Sequence, residues 1–486
     1  MAENQTESGK VLKYEVIQGS FTNRYPPTDE RCAFFKEFLP DGDISDLVTK
    51  ANVIKTLQNE KCASNDIDSL GTLRGDISVE LNVGSVKRAD FDKYQWSFLA
   101  PKFDIDTFQS AEYQYAQIFP YIDPQGLMTP FRGGFSIVRK VVLHKDHRNG
   151  QSPYCNDPEN DFIVAVKTLH ANANLFTNVD KFYDKERTTL QKMAELKHDH
   201  LIKAISAYKK GPDKYFLFPW ARGGNLRQIW AQESNSTEGN VVSWALEQMV
   251  GLTEGISALH KEKVRHGDLK PENILFFPED IEGHRFSGPL VIADVGLAKF
   301  HEDYTVNRQE RTTTNSRTIC YEPPELTIDK EKPVSRKYDL WSLGCIFLEF
   351  LIWIRFGNSH VQKFSTAISS AGGEGRFWKQ SRGWKFWQET TNSAKLHPTV
   401  ARWITKDLKE AGPHDQLVSE LADLIASHLL VIDKEKRDSD GFLQGLKDIQ
   451  NRAEDVSKQT CNDATSSPAE AEPLFNTPAN RSNQVG

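Results

Sequence analysis

Two short runs dominated by β-branched and aromatic residues, FSIVRKVVL at 135–143 and FIVAV at 162–166, predict strands. The polar, turn-rich stretch between them, KDHRNGQSPYCNDPEN, predicts an exposed loop. A charged segment from about Lys181 to Lys197 predicts a helix, and Tyr215 to Pro219 predicts another short strand. Beyond that point the periodicity is helical, with Leu246, Met249, Val250, Ile256 and Leu259 near one face. Leu343 to Ile354 is the most apolar stretch. Glu349 interrupts it, and it falls short of the ~20 residues that a membrane span needs, so it predicts a buried helix.

The two ends read differently. Residues 1–25 are polar and predict a disordered terminus, without the apolar run of a secretory signal. Residues 26–117 form an extension with helix-like runs (CAFFKEFL, DLVTKANVIKTL) and a weakly alternating DISVELNVGSV. Its aromatic segment YQWSFLAPKFDIDTF, 94–108, predicts a strap packed across a neighbouring lobe. From about Ala453 to Gly486 the composition predicts a flexible tail.

The chain has 486 residues, 38% hydrophobic and 26% charged, which is enough apolar material for a sizeable core. The net charge of −7 gives no support to a nucleic-acid footprint. The six cysteines are scattered without a C-x-x-C pair, which points to no zinc site or disulfide framework and to an intracellular setting, cytoplasmic or nuclear. Nothing in the composition fixes an oligomeric state.

Chemistry concentrates in VRHGDLKPENILFF, 264–277. Asp268 can accept a proton from an attacking hydroxyl. Lys270, two residues on, can neutralise charge on a migrating phosphoryl group, and Asn273 can ligate a metal ion through its carbonyl oxygen. In LVIADVG, 290–296, a strand ends in Asp294, a second oxygen ligand suited to Mg²⁺. Upstream, Val164-Ala-Val-Lys167 puts a lysine on a strand, and Glu186 on the following helix is the candidate to hold it. Singly these features are commonplace. In this order and spacing, phosphoryl transfer from a nucleotide is the reaction that uses all of them.

The same motifs carry a family resemblance over 118–452: the chain resembles a eukaryotic protein kinase domain of the serine/threonine type. The resemblance implies an α+β, bilobal fold, with a small antiparallel N-lobe (118–219) and a mostly helical C-lobe (222–452). It implies ATP and Mg²⁺ as cofactors and a protein substrate as partner. Lys167 matches the strand-borne ATP lysine, and HGDLKPEN the catalytic loop, with Asp268 as base. DVG matches the metal-binding triplet, and PPE at 323–325 the end of the activation segment. DLWSLGC, 339–345, matches the buried helix whose Asp339 supports the loop. Glu325 is expected to pair with Arg437. Lys270 and Thr318 resemble the serine/threonine rather than the tyrosine enzymes. Phe218 falls at the gatekeeper position, and Trp220 and Ala221 on the adenine hinge. Val138, Ala165 and Leu275 are expected to sandwich the adenine, with Gly133 and Gly134 in the loop over the phosphates. HGD, FLAPKF and VLHKDH resemble kinases of filamentous fungi.

The chain departs from the family at four places. The glycine-rich loop keeps its central Gly133, adds Gly134, and has Phe131 and Ser136 where glycines are usual, which predicts weakened ATP binding. The usual helix spacing lands near Thr189 rather than Glu186. Val295 replaces a phenylalanine. Gly267 replaces the arginine that pairs with a phosphorylated activation segment, which removes a switch and leaves the base. The run Thr312–Ser316 reads equally as a phosphorylation site or a solvated loop. A pseudokinase scaffold is the alternative. A small-molecule phosphotransferase also fits H-G-D-L-x-x-x-N, but not the segments around Glu325, Asp339 and Arg437.

Overall fold

The computed structural model describes residues 99–123, 130–132, 136–150, 162–169, 179–232, 241–282, 284–295, 319–328, 334–370, 375–385, 388–410 and 415–465. Strand β1 (Phe103–Asp104) opens the fold. It is followed by β2 (Gln109–Tyr113), β3 (Tyr121–Ile122), β4 (Phe131–Arg132), β5 (Ser136–Leu143), β6 (Arg148–Asn149) and β7 (Phe162–Leu169). Helix α1 (Val179–Leu196), β8 (Ser206–Lys210) and β9 (Asp213–Pro219) complete the first lobe. Seven of these strands form one curled sheet, in the order β2-β8-β9-β7-β5-β3 with β4 also on β5.

Alternation along β7 decides what each face carries. Val164 and Val166 turn outward into a cluster with Val141, Leu143 and Leu217. Ala165 and Lys167 therefore face the other side, toward the second lobe. The outer cluster is roofed by Phe103 and Ile105 of the strap and by Phe119 and Tyr121 beyond it, all four buried. Phe119 stacks on Tyr208 at 4.8 Å, and the hydroxyls of Tyr121 and Tyr208 bond at 2.8 Å.

The second lobe is mostly helical. It comprises α2 (Leu226–Ala231), α3 (Val241–Lys261), the hairpin β10 (Ile274–Phe276) and β11 (Leu290–Ile292), α4 (Glu325–Ile328), α5 (Lys337–Phe356) and α6 (Asn358–Ser370). A second hairpin, β12 (Trp378–Lys385) and β13 (Gln388–Leu396), precedes α7 (Pro398–Thr405), α8 (Asp415–His428) and α9 (Ser439–Thr465). Helix α5 is buried from Tyr338 to Ile354, as an all-round apolar helix must be, and it is the axis of the lobe. The architecture is the α+β arrangement of a curled sheet followed by a helical region. Among the described residues no helix is long and apolar enough to cross a membrane.

Three boundaries differ from the sequence reading. The sheet begins upstream of 118, because β2 adds in parallel to β8. The stretch expected as an exposed loop starts instead with a 3-10 turn, Lys145–His147, whose His147 is buried, and β6 then pairs in parallel with β1. Helix α9 runs on to Thr465, so the first part of the expected tail is helical.

Candidate active site

Lys167 projects from β7 on the inner face, in register with Val138 on β5 and Phe216 on β9. Its Nζ donates to Glu186 Oε1 at 2.8 Å and to Asp294 Oδ1 at 2.6 Å. Glu186 arrives from α1, whose buried stripe of Phe182, Tyr183, Glu186, Thr189, Leu190 and Met193 follows a 3–4 spacing. Thr189 lies one turn further along the same stripe; the residue at bonding distance from Lys167 is Glu186. Burial alone would depress the Lys167 ammonium, but the Asp294 and Glu186 carboxylates outweigh it and hold the group above the ordinary lysine range. Burial also works against charge on Asp294; Lys167, with Lys270 and His266, nonetheless keeps it below the usual carboxylate range. At Glu186 burial dominates and raises the carboxyl, with Lys167 offsetting part of the effect.

Asp294 follows β11 in the left-handed region, φ +63°, a conformation that aspartate tolerates better than most residues. Its neighbour Val295 is buried in the main core. Across the β10–β11 hairpin, the Ala293 N–H donates to Asn273 O at 2.9 Å, which places Asn273 beside Asp294.

The loop that carries Asp268 hangs from Asp339 on α5. Fully buried Asp339 accepts from the His266 N–H at 2.9 Å, the Gly267 N–H at 2.8 Å and His260 Nε2 at 2.8 Å. Burial opposes its charge, but His260, His266 and the Gly267 N–H prevail and lower its pKa. His266 Nε2 donates to Ala293 O at 3.0 Å, and its Nδ1 accepts from the Asp268 N–H at 3.2 Å. The imidazole thus spans the two halves of the site in a single tautomer. Pro271 starts a short 3-10 turn ending at Asn273. There Asn273 Nδ2 donates to Asp268 O at 2.8 Å and to Asp268 Oδ2 at 3.2 Å, and Lys270 Nζ meets Asp268 Oδ2 at 2.6 Å.

The remaining candidates are distributed as follows. Val138 and Ala165 lie on the inner face of the sheet, and Leu275 sits half-buried in β10. The Trp220 N–H donates to Ile163 O at 3.2 Å, and Ala221 O accepts from the Gly224 N–H. Arg437, fully buried, grips Glu325 in a bidentate pair at 2.7 and 2.8 Å. Gly133, Gly134 and Thr318 lie outside the described residues, as does the Thr312–Ser316 run.

One constellation has little sequence signal. Arg227 on α2 bonds Glu272, in the loop that carries Asp268, at 3.3 Å and the hydroxyl of Tyr321, and its Nη2 lies 3.5 Å from Glu349 on α5. Tyr321 in turn donates to Glu349 Oε2 at 2.5 Å. The one visible hint was a charge, Glu349, inside the most apolar run of the chain.

A family model of the protein kinase domain matches residues 148–448, more than half of the sequence. The chain belongs to the protein kinase domain family. Its similarity to characterised kinases is distant. It is 28% identical over 226 residues to the serine/threonine-protein kinase PKH3 of Eremothecium gossypii, covering 45% of this chain and 27% of that protein. It is 29% identical over 213 residues to an Aurora kinase of Schizosaccharomyces pombe, covering 44% and 50%. To the serine/threonine-protein kinase tousled-like 2 of Xenopus tropicalis it is 29% identical over 240 residues, covering 48% and 31%. The alignments thus span from about a quarter to half of the length of these relatives.

Proposed function

We propose that the protein is an ATP- and Mg²⁺-dependent serine/threonine protein kinase that does not rely on a catalytic-loop arginine for activation. The observation that carries this reading is the junction of Lys167, Glu186 and Asp294, with Asp268 and Asn273 one hairpin away. The donor set suits the cofactor. Asn273 uses its amide hydrogens on Asp268, which leaves its carbonyl oxygen free to point at a cation. Asp294 adds a carboxylate. Two hard oxygen ligands are what a protein supplies to Mg²⁺ when phosphates supply the rest. When bound, Mg²⁺-ATP supplies the transferable phosphoryl group and the charge neutralisation it needs.

The protein residues do the positioning. Lys167, oriented by Glu186, presents its ammonium to phosphate oxygens. Asp268, fixed by His266 and Asn273, aligns a substrate hydroxyl and takes up its proton. Lys270, beside Asp268, balances charge on the moving group. Val138, Ala165 and Leu275 line the adenine region, with Trp220 and Ala221 at its hinge.

Gly267 supports independence from an arginine switch. Its φ of +78° lies in the left-handed region, where glycine is unstrained, and its N–H is held by Asp339. The loop is therefore shaped from below by α5. The resemblance to kinases of filamentous fungi fits the same sequence features.

The test is transfer of labelled phosphate from ATP to generic protein substrates by the full chain. Activity should require Mg²⁺ and fall by about 10²–10⁴-fold in Asp268→Asn. Nucleotide binding without any Asp268-dependent transfer would instead show a scaffold.

A further inference from the structure

The side chain that sequence reasoning treats as an obstacle sits where it can hold the base. Phe131 pairs directly with Val138, and Val138 with Lys167. Directly paired residues on neighbouring strands share a face, so the three form one row on the inner side of the sheet. Phe131 is 51% exposed, among the few large apolar side chains left that open. Its ring meets that of the hinge residue Trp220 at 6.2 Å and 37°. Lys140, two residues beyond Val138 on the same face of β5, places its Nζ 5.4 Å from the Trp220 ring centre. Trp220 also borders a cavity of about 670 Å³ with Trp244, Phe277 and Phe286, so part of its surface faces open space rather than packed core.

We infer that Phe131 and Trp220 form an aromatic bracket across the hinge-side mouth of the nucleotide cleft, closing on the purine. Phe131 is then a nucleotide-binding residue: base stacking makes up for contacts that a missing glycine would have given to the phosphates. The inference rests on the nucleotide-dependent reading above. Its physical basis is simple. An exposed aromatic ring on the roof and a second on the hinge offer two π-faces to a flat base, and Trp220 has room to tilt as the base enters. No bond is made or broken.

The experiment is equilibrium binding of a fluorescent N-methylanthraniloyl-ADP to the full chain, read by anisotropy and by energy transfer from tryptophan. Phe131→Ala and Phe131→Gly should each weaken binding by about 3- to 10-fold, the range of an aromatic stack, and Phe131→Trp should retain it. The KM for ATP should rise by the same factor while that for a peptide substrate stays put. Trp220→Ala should cost a similar factor, and Phe131→Ala with Trp220→Ala should cost less than the product of the two. Equal or tighter binding by Phe131→Gly would overturn the bracket and restore the view of Phe131 as an obstruction. So would full additivity of the pair. The Phe131 side chain is half open, so its loss should leave the melting temperature near that of the parent; Phe131→Leu, which keeps apolar bulk but no ring, gives an intermediate loss and guards against a folding defect. A parent chain that binds no nucleotide would sink the kinase reading itself, an outcome separate from a bound nucleotide indifferent to Phe131.

Discussion

At the residue scale, Gly267 occupies a backbone conformation that suits glycine. Its φ of +78° would strain any L side chain, so Gly267→Arg should lose about 1–2 kcal/mol of stability in urea melts. Gain of stability in that variant would mean the loop has another shape. The Arg227 cluster makes a second prediction. Glu349 is buried and its carboxyl is raised by that burial, with Arg227 the first group to offset it. Arg227→Ala leaves a carboxylate without its cation. The expected loss is about 3 kcal/mol, the low end for a broken buried pair, because Arg227 retains some access to water. Glu349→Gln in that background should recover part of it, as a double-mutant cycle would show. That Lys167, Asp268, Asn273 and Asp294 gather in one region was legible from the order and spacing of their motifs. Arg227 and Tyr321 were not, because an arginine on a short helix and a tyrosine before two prolines look the same whether or not they meet.

At the element scale, the strap belongs to the folded lobe even though the family match begins only at Arg148. Phe103 is 1% exposed and packs on Phe119, Tyr121 and Tyr208. Phe103→Ala should therefore cost about 3–5 kcal/mol by chemical denaturation, the usual loss for a buried phenylalanine. A chain starting at Ile118 should be less stable still, since it lacks β1 and β2 altogether. Wild-type stability in that shorter chain would reduce the strap to an ornament. Strands β5 and β7 and helix α5 were readable, because burial on one face or all round writes a period into the sequence. Strand β2, QSAEY, was not. It pairs through its backbone at a sheet edge and keeps most side chains exposed or half-buried, so no apolar period marks it. The end of α9 escaped for a related reason: polar residues such as those of NRAEDVSKQ accept a helix on intrinsic preference, without an apolar stripe.

At the scale of the whole molecule, the two lobes meet at joints that respond to acid over different pH ranges. One is the Lys167–Asp294 pair. Asp294 titrates below its ordinary value, so its contribution is present above about pH 4 and is lost only as pH falls through its lowered pKa. Lys167 titrates above its ordinary value, so its contribution persists into strongly alkaline solution. The contributions of Asp294 and Lys167 should therefore be constant from about pH 5 to 9. The other joint is the His198–Leu201 turn. There the Ile292 N–H donates to His200 O at 2.8 Å, and His200 Nδ1 donates to Leu290 O at 2.7 Å. Burial lowers the pKa of both His198 and His200, against the pull of Glu254 and Asp199. An unfolded chain would bind protons on these rings near pH 6.5 while the folded one resists. Stability held above that pH must therefore drain away as pH falls through the lowered values. Urea melts at pH 7.5 and pH 5.5 should differ in the parent chain. In His198→Gln with His200→Asn the gap should shrink, since asparagine can offer an N–H where Nδ1 stood. If the gap survives in that variant, the acid-sensitive group lies elsewhere.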